Sequence, residues 1–81
     1  MSRKEKLIRR LRSKPKNFTF EEARTLLGCF GYVMEEGSGS RVRFDHDQHQ
    51  PLFLHEPHPG NELHEYQITQ LIRTLEKEGL I

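Results

Sequence analysis

The stretch "GSGSRVRFDH", residues 37–46, constrains the fold more than any other part of the chain. From Arg41 onward polar and apolar residues alternate strictly. That puts Val42 and Phe44 on one face of an extended strand, and Arg41, Arg43 and Asp45 on the other. The glycines and serines before it supply a tight turn, and period two after a glycine turn is the pattern of a hairpin. A flexible linker would not run into such alternation. A phosphate-binding P-loop is excluded as well, because "GSGS" lacks the terminal Lys-Ser/Thr and leads into a strand instead of a helix.

Two further strands complete a sheet. Residues Tyr32 to Glu35 supply the first arm of the hairpin. After a turn at "DQHQ", the segment "PLFLH" (51–55) supplies a third strand with Leu52 and Leu54 facing the core. Alternation then places Phe53 and His55 on the outer face beside Arg41 and Arg43.

Helices flank this meander. Leu7, Ile8 and Leu11 form one apolar stripe on a helix from about Arg3 to Ser13, closed by Lys14-Pro15 because proline disfavours a helical residue before it. A second helix opens at Thr19, with Glu22 completing a capping box and Phe18 and Ala23 placed as a hydrophobic staple. It buries Ala23, Leu26, Leu27 and Phe30 and stops at Gly31. A third, about Glu65 to Glu78, buries Ile68, Leu71, Ile72 and Leu75 before Gly79. The order α-α-β-β-β-α is an α+β fold. Helices packed on one face of a three-stranded antiparallel sheet leave its other face open.

At 81 residues, 33% hydrophobic and 31% charged, the chain has enough apolar content for one small core. It has no apolar run long enough to span a bilayer. No apolar stretch follows the basic start, so no secretory leader is expected, and a single cysteine fits a reducing cytoplasm. Cys29 is expected to pack on the second helix. Charge is unevenly distributed. Residues 1–16 carry eight basic side chains against Glu5 alone, net +7, whereas the rest carries five basic and eleven acidic, net −6. A basic helix (1–16) on an acidic body (17–81) points to a polyanionic partner, with Arg9 and Arg10 as candidate contacts, or else to a solvated helix that happens to be basic.

The outer sheet face holds the chemistry. Arg41 and Arg43 can bind phosphate bidentately, Phe53 can stack on a base, and His55 can move a proton near neutral pH. Ser38 and Ser40 add hydroxyls within the turn. Together these suit single-stranded RNA. The plainer alternative is that Arg43 pairs with Asp45 or Glu35, Phe53 packs under a neighbour and His55 is merely exposed. Five histidines raise the question of a metal, but no CxxC or HExxH spacing supports one, so no metal site and no cofactor is expected. His46 points away from the outer face by alternation. No Ser/His/Asp arrangement is visible.

From Thr19 to Ile81 the chain resembles the HicA family of toxins from bacterial toxin–antitoxin pairs. The likeness rests on "LLGCFGY", the "GSGSRVRF" hairpin, "LHEPHPGNEL" and "ITQLIRTLEKEGL" taken in order. The first basic helix looks like an addition to that pattern. The resemblance implies a double-stranded-RNA-binding-domain-like fold, a metal-independent endoribonuclease acting on mRNA in the cytoplasm, and a HicB-like antitoxin that masks the RNA face. Typical members carry a catalytic histidine directly after the Gly-Ser of the hairpin, where this chain has Arg41. Arginine stays protonated and is no general base, so cleavage would draw on another histidine. His55 is the first candidate because it shares the face with Arg41. His58 is the second, in the matching "PHP" connection. A non-catalytic RNA-binding module and a protein-interaction domain are the alternatives.

Overall fold

A computed structural model describes residues 2–36, 39 and 41–81. The elements run α1 (Arg3–Arg12), α2 (Phe20–Cys29), β1 (Val33–Glu36), β2 (Arg41–Asp45), β3 (Leu52–His55) and α3 (Glu65–Lys77). This is the expected α-α-β-β-β-α order. The sheet is antiparallel with strand order β1-β2-β3. The first strand begins at Val33, one residue later than the pattern predicts, and Tyr32 goes into the core instead.

Local chemistry explains each helix. Ser2 caps α1 by accepting from the Glu5 amide. Thr19 and Glu22 form the predicted capping box on α2, each side chain bonding the other's backbone N–H at 3.1 Å. The three helix ends differ in a telling way. At α2 the Tyr32 amide donates to the Leu27 carbonyl and the Gly31 amide to that of Gly28, with Gly31 at φ +96°. At α3 the Leu80 amide donates to Leu75 and the Gly79 amide to Glu76, with Gly79 at φ +75°. Both ends are complete Schellman motifs with glycine in the left-handed position. At α1 that position is Lys14, at φ +50°. Its amide donates to Leu11, but the next residue, Pro15, has no N–H to make the second bond.

One apolar core unites all six elements. Leu11, Phe18, Leu26, Leu27, Phe44, Ile68 and Leu75 are its largest fully buried side chains. Val42, Phe44, Leu52 and Leu54 deliver the inner sheet face to it. Leu7 and Leu11 of α1 lie in the same cluster, so this helix is docked and two of its basic residues are tied down. Arg10 pairs with Glu22 at 2.5 Å and also donates to Asn17, while Arg12 pairs with Glu76 at 3.1 Å. Cys29 is exposed, contrary to the packing expected of it. Turning about 100° per residue carries position 29 off the stripe formed by Ala23, Leu26, Leu27 and Phe30. No helix among the described residues is long and apolar enough to cross a membrane.

Candidate functional site

Register decides what the outer face can do. Arg41 lies opposite His55, and Arg43 stands between Glu35 on β1 and Phe53 on β3. Cross-strand partners share a face, so the four side chains picked out by alternation form one two-by-two patch. Phe53 is half exposed, with the Arg41 guanidinium 4.6 Å and that of Arg43 6.0 Å from its ring centroid. The aromatic ring thereby holds both cations by cation–π attraction.

Part of the plainer alternative is also realised. Arg43 Nε donates to Asp45 at 2.6 Å, and Phe53 does lie under Arg41. The Asp45 contact uses only Nε, so it orients the guanidinium while its two terminal nitrogens remain outside that bond. Arg41 has no carboxylate partner among the described residues.

His55 closes β3 at the edge of the sheet, exposed on the same face. A residue that sequence reasoning missed fixes its backbone. Gln67, buried in the first turn of α3, donates to the His55 carbonyl at 2.9 Å and accepts from the His64 amide at 2.9 Å. A glutamine at the third position of a helix after a polar cap residue is the available signal.

His58 is exposed in the connection 56–64, ahead of a cis His58–Pro59 peptide. That connection is pinned to the start of α2. The Phe20 amide donates to Asn61 at 2.7 Å and the Leu63 amide to Phe18 at 2.8 Å. A depression of about 390 Å³ joins Gly39 of the hairpin turn to Glu56, Pro57, His58 and Gly60. The structure thus brings Arg41, Arg43, Phe53 and His55 together on the open face. His58 sits beyond the end of β3, on a wall shared with the hairpin turn. Ser38 and Ser40 lie outside the described residues. Arg9 and Arg10 are on α1, in the helical layer, and Arg10 is committed to Glu22.

The other three histidines are elsewhere. His46 Nε2 is 2.8 Å from the Phe30 carbonyl and its Nδ1 accepts from the Gln48 amide at 3.0 Å. Those two bonds fit a neutral ring that donates through Nε2. His49 Nδ1 meets Glu78 at 2.8 Å, and both rings pack on Tyr32. His64 caps α3 and stacks on Tyr66. No group of three or more potential metal-ligating side chains occurs among the described residues.

A family model described as the HicA toxin of bacterial toxin–antitoxin systems matches residues 20–79. The chain belongs to the HicA toxin family. It is therefore a toxin of a toxin–antitoxin system, as the hairpin and connection motifs led us to expect. No curated protein and no solved structure matches it. The HicA match begins at the first residue of α2, so α1 precedes the family's shared region.

Proposed function

We propose that this HicA-family toxin binds mRNA on the open face of its sheet and cleaves it without a metal, and that a HicB-type antitoxin silences it by covering that face. The observation that carries this reading is the pairing of Arg41 with His55 across β2 and β3, beside Arg43 and Phe53. Phe53 stacks a base, at about 1–3 kcal/mol, and sets the strand's position. Arg41 and Arg43 hold the phosphate. His55 takes the proton from a ribose 2′-hydroxyl, whose oxygen attacks the adjacent phosphorus. The bond from phosphorus to the 5′-oxygen breaks, leaving a 2′,3′-cyclic phosphate on one product. The departing 5′-oxygen takes a proton from His58 or from water. Arg41 stabilises the negative charge that builds on the phosphoryl oxygens. It occupies the position where the resemblance places a histidine, so its part here is electrostatic.

A specific observation favours one second reading. An arginine at that position supplies binding without a base, which suits a toxin that blocks mRNA by occupancy. Incubating the purified protein with labelled mRNA in EDTA separates the two. Cyclic-phosphate-terminated fragments support cleavage. Intact RNA that shifts on a native gel supports occupancy. RNA that neither shifts nor breaks sinks both and leaves a protein-interaction domain.

A further inference from the structure

The strongest feature that the sheet face does not absorb is the charge of the N-terminal region. After Arg10 and Arg12 are paired, Arg3, Lys6, Arg9, Lys14 and Lys16 remain exposed with no carboxylate partner among the described residues. They stand on a docked helix and its exit, so they form a fixed ridge.

That ridge is connected to the candidate site. Lys16 lines a depression of about 310 Å³ with Pro59, Gly60, Asn61, Glu62, Leu63 and His64. Gly60 belongs also to the neighbouring depression of His58 and Gly39, and Arg41 follows the hairpin turn that contains Gly39. The two depressions adjoin at Gly60, and together they run from the hairpin turn, along the 56–64 connection, to Lys16.

Lys14 adds an independent observation. It holds the left-handed position that the other two helix ends give to glycine. A side chain there is strained, and strain of this kind tends to be kept where the residue is needed.

Building on the sheet-face reading, we propose that an RNA strand leaving Arg41 follows these depressions to Lys16 and continues onto Lys14 and Arg9, making the N-terminal region 3–16 a second phosphate-binding surface. Lysine ammoniums contact the backbone as point charges and are indifferent to sequence. Glu56 and Glu62 also border the depressions. They turn the phosphates toward the lysines and can accept from base amino groups.

The test is a salt titration of RNA affinity with the full chain, using a labelled single-stranded RNA of about a dozen nucleotides. Wild type is compared with R41A/R43A and with R9A/K14G/K16A. Each lost phosphate contact flattens the log–log salt slope by about 0.7. The ridge variant should therefore lose about 2 from the slope and tenfold or more in affinity at 0.15 M salt. K14G alone should bind more weakly while unfolding at an equal or higher urea concentration, because glycine relieves the strain.

If R41A/R43A weakens binding and the ridge variant does not, the second surface is wrong and the sheet-face reading stands. If wild type shows no salt-dependent RNA binding, both fall. If the ridge variant loses only its grip on the antitoxin, the ridge serves a protein and the RNA assignment is overturned.

Discussion

The two faces of the sheet are built from alternate residues of the same strands, yet they answer to different demands. On the inner face Val42, Phe44, Leu52 and Leu54 are buried, and Phe44 is 1% exposed. On the outer face Arg41, Arg43, Phe53 and His55 stay at the surface, and Phe53 is 50% exposed. Two phenylalanines on neighbouring strands therefore differ in what they stabilise. Replacing Phe44 by alanine should cost about 3–5 kcal/mol in urea unfolding, a large share of what a domain this small has. Replacing Phe53 should cost less than about 1 kcal/mol of stability while weakening RNA binding roughly 5- to 100-fold. A Phe53→Ala variant that unfolds readily, or binds RNA as wild type does, would erase the distinction.

Histidines sharpen the same comparison. His46 follows β2 on the core side, where both ring nitrogens are engaged and Nε2 lies 3.1 Å from where a Cβ on Gly31 would stand. His55 closes β3 on the open side. Under the cleavage reading, His55→Ala should lower the rate by about 10²–10⁴ with RNA affinity unchanged. His46→Ala should lower stability by about 1–2 kcal/mol through the stranded Phe30 carbonyl and leave the rate alone. Full activity in His55→Ala would take the base role from it and direct attention to His58.

The alternation after Gly39 made the two faces legible, because a period of two leaves a strand only one way to bury Val42 and Phe44. Matching Leu52 and Leu54 to them then fixed the neighbours of His55. The helix caps were legible for the same reason: Thr19, Glu22, Gly31 and Gly79 are each the residue type their backbone position demands. Contacts between distant positions were not legible. Nothing local in the sequence tells that Arg10 reaches Glu22, that Gln67 holds the His55 carbonyl, or that the 56–64 connection lies against both the hairpin turn and Lys16. Those follow from tertiary packing. Cys29 departs from the packing its residue type suggests because its place on α2 lies off the apolar stripe.

The helical layer supplies a smaller test. The hydrogen bond and charge of Arg10 hold the Glu22 carboxyl below its ordinary value of 4.5. A depressed carboxyl contributes stability above its unfolded-state pKa and loses it as pH falls through the folded value. Glu22→Gln should thus cost about 1 kcal/mol at pH 7, given how exposed Arg10 is. The gap between variant and wild type should narrow as pH drops below about 4.5. A pH-independent gap would assign the whole effect to the capping box.

The core beside β1 carries one flaw among the described residues, and it gives the smallest expected effect. The Tyr32 hydroxyl is buried with no hydrogen-bond partner among the described residues. Burial, and then the Glu78 charge, push its pKa above the ordinary 10.0. A buried hydroxyl without a partner costs more than it contributes, so Tyr32→Phe should stabilise the protein by about 0.5–1 kcal/mol near neutral pH. The sign at high pH follows from linkage: the unfolded tyrosine ionises first, so the wild type loses stability as pH climbs past about 10. Tyr32→Phe lacks that loss, and its advantage should widen there. Urea midpoints at pH 7 and pH 10.5 read both effects. A variant less stable than wild type at pH 7 would mean that the hydroxyl is satisfied in solution.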